Sequence, residues 1–166
     1  MKVVSDASAL INLARIRELG LLHRLYGDVL IPDAVWQEVV IDGTGQPGSE
    51  EIEGASWIKV KQVENRALVH ALRQDLDAGE AEAIALSEEL EADLLIMDER
   101  WGREAAARFG IRHIGLIGVL IAVKRRGWIE AVKPHLDALR DVAGFRVQEA
   151  LYHRVLHDEG EIGRRR

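Results

Sequence analysis

At 166 residues the chain is one domain long, large enough to bury roughly two thirds of the surface its unfolded form exposes. Apolar residues make up 48% and charged residues 30%, which excludes disordered and fibrous classes, and no apolar run approaches the ~20 residues of a membrane span. The absence of cysteine excludes disulfides, Cys-ligated zinc, iron–sulfur clusters and a thiol nucleophile. The net charge of −6 argues against a protein that coats nucleic acid, and Asp6 interrupts any secretory core at the N-terminus. The expected location is the cytoplasm, with no membrane partner.

In chain order, residues 2–5 form a short β-branched run closed by Asp6. Ser8 is placed to cap a helix whose apolar side is Leu10, Ile11, Leu13 and Ala14, ended by Gly20. A second helical stretch, 21–26, stops at Gly27, and 29–31 reads as a strand. Pro32 suits the first position of a helix running to about Val40, with Asp33 favourable to its dipole. Residues 42–53 hold three glycines and Pro47 and read as the one long loop. Residues 57–63 alternate as a strand, 66–74 and 77–90 read as helices, and 93–97 is an apolar run closed by Asp98. A helix over 99–109, a strand over 111–114, helices over 116–126 and 129–139, and an amphipathic tail from Phe145 to Arg164–Arg166 complete the chain. Alternating strands and helices predict an α/β fold: a three-layer α/β/α sandwich with a small, mostly parallel sheet.

Charge is unevenly spread. Ten acids and no Lys or Arg lie between Asp75 and Glu99, and seven bases with one acid, Glu104, lie between Arg100 and Arg126. These blocks are either solvated faces or an acidic pocket beside a basic rim, which suits a metal site that must also hold a polyanion.

In parallel sheets ligands bind at the carboxyl ends of strands, near the reversal of strand order. Asp6 and Asp98 end two predicted strands there, and Glu38 and Glu80 lie on helices that could border the same end. Each has a structural alternative: Asx-turn for Asp6, N-cap for Asp98, solvent for Glu38, and a capping box with Asp77 for Glu80. Together they form a cluster whose repulsion, several kcal/mol for each close pair at an effective dielectric near 20, calls for a divalent cation. All-oxygen donors point to Mg²⁺ or Mn²⁺, and the four carboxylates are expected to converge closely enough to share it. His153 and His157 imitate a metal pair but lack a third ligand nearby, and read as surface residues.

The segments VVSDASALINLARI, IPDAVWQEVV, LDAGEAEAIALSEELEADLLIMDERWGREAA and GLIGVLIAVKRRGWI resemble the PIN domain, most nearly its branch of small prokaryotic VapC-like toxins. The resemblance covers residues 2–140 in order, so 1–140 are expected to form the nuclease domain, with 141–166 a C-terminal helical extension of it ending in a basic tail. It implies a metal-dependent endoribonuclease, the toxin of a toxin–antitoxin pair, leaving 5′-phosphate and 3′-hydroxyl ends. The family's four acids fall on Asp6, Glu38, Glu80 and Asp98, with Asp6, Glu80 and Asp98 as metal ligands, and its small polar residue falls on Ser8. Asp77 and Glu82 are alternatives to Glu80, and Glu99 is an alternative to Asp98. Glu80 and Glu82 point to nearly opposite sides of a helix and cannot both be ligands. Arg100 and Arg103 are candidate phosphate contacts, with a solvated helix face as their alternative.

The expected partners are RNA, a cognate antitoxin and a second copy of the chain. The homodimer is expected because Leu116, Ile117, Val119, Leu120 and Ile121 exceed one helical stripe, unless that helix is buried on most sides within the monomer. The rival readings are a non-catalytic PIN-like module that binds RNA or antitoxin, and a DNA-directed nuclease.

Overall fold

The computed structural model describes residues 1–162, and the basic tail Arg164–Arg166 lies outside the described residues. The chain runs β1 (Val3–Ser5), α1 (Ala7–Arg15), α2 (Gly20–Tyr26), β2 (Val29–Pro32) and α3 (Asp33–Trp36), which continues as a π-helical turn over Gln37–Ile41. Then come α4 (Ser49–Gly54), β3 (Ile58–Lys61), α5 (Arg66–Leu72), α6 (Ala78–Glu89) and β4 (Leu94–Ile96). It ends with α7 (Arg100–Arg108), β5 (His113–Ile114), α8 (Leu116–Arg125), α9 (Lys133–Asp141) and α10 (Glu149–Asp158).

All five strands are parallel, in the order β3-β2-β1-β4-β5. The order reverses between β1 and β4, so the carboxyl ends of these two strands flank a crevice. A parallel sheet is covered on both faces, which is why the strands read as unbroken apolar runs. Val3, Leu94 and Ile96 face a core built with α1, α2, α8, α9 and α10. Val4, Leu95 and Met97 face the opposite one, built with α5, α6 and α7. The result is the expected three-layer sandwich. No helix among the described residues is long and apolar enough to cross a membrane.

Several local expectations are corrected. Asp6, not Ser8, caps α1: its backbone is still extended (φ −79°, ψ 178°) and its side chain accepts from Ala9 N–H at 3.0 Å. Ser8 lies inside the first turn, where its hydroxyl accepts from the Asn12 amide at 3.1 Å. The second half of the expected loop folds as α4, because Ile52 can be buried completely. The helix expected from residue 129 starts at Lys133. Gly127 (φ +75°) first turns the chain, and the Glu161 carboxylate accepts from Val132 N–H and Lys133 N–H at 2.8 Å each. On α8, Leu116, Val119, Leu120 and Val123 are buried and Ile117 and Ile121 pack partly against the same core. Its apolar surplus is thus taken up largely within the chain.

Candidate active site

A pocket of about 620 Å³ opens at the carboxyl ends of β1 and β4. Six acids line it: Asp6, Glu38, Asp77, Glu80, Asp98 and Glu99. Ser8, Asn12 and Arg15 of α1 and residues 143–146 are among the other lining residues.

Asp6 follows β1 directly, and the same geometry that makes it the α1 cap buries its carboxylate. Its Oδ1 accepts from Ala9 N–H and its Oδ2 from Asp98 N–H at 3.4 Å. Burial, reinforced by the charges of Asp98 and Glu80, pushes its pKa up to about 7 despite those two hydrogen bonds. Asp98 follows β4, and both its oxygens lie within reach of Leu116 N–H, at 3.1 and 3.3 Å. Burial raises its pKa, while the Leu116 hydrogen bond and the nearby Arg103 guanidinium oppose the rise. Asp98 does not cap α7; Glu99 does, accepting from Trp101 N–H at 3.3 Å, and Glu99 also reaches the pocket.

Glu80 has two roles at once. The capping box is real: Asp77 Oδ1 accepts from Glu80 N–H at 2.8 Å and Glu80 Oε2 from Asp77 N–H at 3.3 Å. Glu80 nonetheless lines the pocket, and burial followed by the charge of Asp77 pushes its pKa up to about 7. Glu38 sits on the π-helical turn, a device that re-aims side chains at functional sites. Gly43 closes that turn so tightly that a Cβ there would meet Val39 O at 2.2 Å. Burial and the charges of Asp77 and Asp42 raise the Glu38 pKa.

The remaining candidates separate cleanly. Glu82 is buried outside the pocket, accepting from Ala34 N–H at 3.2 Å and pairing with Arg66 at 3.4 Å, so it is not an alternative ligand there. The cause is the one-hundred-degree step of the helix, applied twice. Arg100 pairs with Glu104, its side chain 82% exposed, outside the pocket lining. Arg103 also lies outside the lining but close enough to bias Asp98. Arg15 and Arg146 line the pocket and were not anticipated from the sequence. Ser8, Asn12 and Arg15 repeat at i, i+4, i+7, a polar stripe on an otherwise apolar helix that could have revealed Arg15. No local signal marks Arg146.

The donor set is all oxygen, and crowded acids held above their ordinary pKa values fit a hard divalent cation. Among the described residues, however, no three His, Cys, Asp or Glu side chains form a ready-made coordination group. The expected tight convergence is therefore a shared pocket and not a cage, because Asp6, Asp98 and Glu80 are each tied to a different backbone N–H. Mg²⁺ retains several waters and takes only one or two carboxylates directly, so it does not need a cage.

The fold and pocket define an α/β protein with an acidic, oxygen-only site at the reversal point of a parallel sheet. A family model described as a PIN domain matches residues 2–161, and the chain belongs to the PIN-domain family. PIN domains are generally nucleases and generally use divalent metals. A comparison with curated proteins finds no match.

Proposed function

We propose that this PIN domain is an Mg²⁺- or Mn²⁺-dependent endoribonuclease. One observation carries the reading: the acids expected to act together, Asp6, Glu38, Glu80 and Asp98, all line one pocket at the ends of β1 and β4. Asp6, Glu80 and Asp98 would hold the ion, with Glu38 supporting and Asp77 and Glu99 adding negative charge. When bound, the ion supplies positive charge to a phosphoryl oxygen and lowers the pKa of a water. The chain's own contribution is orientation. Ala9 N–H fixes Asp6, Leu116 N–H fixes Asp98 and the capping box fixes Glu80, so the acids are held in place before any ligand arrives.

The toxin role and a cognate antitoxin belong to the same proposal and rest on the sequence resemblance to the toxin branch; a homodimer would rest on the partly buried Ile117 and Ile121 of α8. The deciding experiment incubates a mixed RNA pool with the purified chain in Mg²⁺, Mn²⁺ or EDTA and maps the ends. Metal-dependent cuts with 5′-phosphate and 3′-hydroxyl ends support the reading. Binding without cleavage in either metal would replace it with a binding module, and cleavage confined to DNA would redirect it to the DNA-directed class.

A further inference from the structure

A pocket lined by six carboxylates repels the polyanion it is proposed to cut. Two cations share its lining: Arg15 in the last turn of α1, and Arg146 in the connection between α9 and α10. Neither forms an ion pair with a carboxylate among the described residues, although the pocket is full of them. Arg15 uses one N–H, donating from Nη1 to Ala143 O at 3.2 Å, and Arg146 makes no side-chain hydrogen bond among the described residues.

The segment that carries Arg146 is anchored. Phe145 N–H donates to Leu139 O at 2.8 Å, the Phe145 ring packs against the core, and Gly144 (φ +74°) makes the bend. Arg15 ties down the same bend through Ala143 O. Two guanidiniums are thus presented to the pocket from fixed backbone, with donors to spare. Planar Arg forks match phosphate oxygens in pairs.

We propose that Arg15 and Arg146 bind the phosphates of an RNA strand on either side of the linkage facing the acids, a role for which Arg100 and Arg103 are only candidates in the sequence. This deepens the nuclease reading and rests on it.

The test measures binding of a labelled, mixed-sequence single-stranded RNA to the full chain in EDTA across a salt series, and cleavage separately in Mn²⁺. Arg146→Ala should weaken binding about tenfold and reduce the slope of log affinity against log salt by about 0.7, the value for one lost single-strand phosphate contact. Arg15→Ala should do likewise, and the double variant should lose about 1.4 from the slope. Arg146→Lys should restore the slope. In Mn²⁺, Arg146→Ala should raise KM about tenfold and leave kcat within about threefold. Its melting temperature should not move, since the Arg146 side chain holds no other element in place. Wild type that binds RNA with the same affinity and slope as both alanine variants would overturn the proposal while leaving the nuclease reading intact. Wild type that neither binds nor cuts RNA would sink both.

Discussion

The backbone N–H of Asp98 donates to Asp6 Oδ2 at 3.4 Å, joining the residues that end β1 and β4 across the reversal of strand order. Two acids 92 positions apart are thereby brought together by the backbone itself, since β1 and β4 pair in register from Val3↔Leu94 to Ser5↔Ile96. The sheet creates the repulsion that a cation would relieve.

Asp98→Asn should abolish cleavage and leave the fold intact. The Asn oxygen can still accept from Leu116 N–H, and removing a charge beside Asp6 relieves repulsion. Each 1.4 kcal/mol lost from transition-state stabilisation costs about tenfold in rate. Cleavage of pooled RNA, run beside a thermal melt, checks this; equal cleavage by both proteins would remove Asp98 from the metal site.

Metal-free stability should fall as pH rises from about 4 to about 7. Asp6 and Glu80 are both pushed up to about 7 in the fold, whereas unfolded they titrate near the ordinary value. Between those limits the folded state binds more protons than the unfolded state. Their contribution is therefore fully present below the unfolded pKa and lost as pH passes about 7. For a group as buried as Asp6, the loss is about 1.4 kcal/mol for each pH unit crossed between the two limits. Urea denaturation in EDTA at several pH values, on wild type and Asp6→Asn, reads it. A wild-type curve no steeper than the variant's, which keeps Glu80, would refute the titration of Asp6.

Divalent metal should reverse that trend. A cation favours ionised carboxylates, so millimolar Mn²⁺ should raise the melting temperature more at pH about 8 than at about 5; where free metal exceeds Kd about a hundredfold, the stabilisation is about 2.7 kcal/mol. A melt indifferent to Mn²⁺ at both pH values would count against a metal site.

Glu80→Gln and Glu82→Gln should separate sharply. Glutamine supports a capping box as glutamate does, so Glu80→Gln should keep α6 folded and lose cleavage. Glu82→Gln can keep its bond to Ala34 N–H and lies outside the pocket, so cleavage should persist. Matched rates in the two variants would overturn the assignment of Glu80.

Gly115→Ala should impair cleavage by displacing a neighbour. A Cβ there would stand 2.6 Å from Asp98 Oδ1, forcing the carboxylate from its place beside Leu116 N–H. Overpacking of this kind costs about 1–3 kcal/mol, a loss that a melt can measure. Wild-type cleavage by this variant would show that the Asp98 position is not critical.

The sequence by itself determined the alternation of strands and helices, the parallel sheet, and the strand-end positions of Asp6 and Asp98. These follow from local causes: apolar runs too short for helices, each closed by an acid, and periodic faces between them. The helix step by itself also separates Glu80 from Glu82. Tertiary structure alone decided how closely the acids meet, because Asp6 and Asp98 answer to the N–H groups of Asp98 and Leu116, which other elements supply. It placed Glu161 over the start of α9 and left Arg100 facing solvent. It also brought Arg146 to a pocket begun at Asp6, 140 residues earlier, through a bend whose anchors, Arg15 and Leu139, lie on two different helices. Proximity across such separations is set by packing, and no local pattern of residues encodes it.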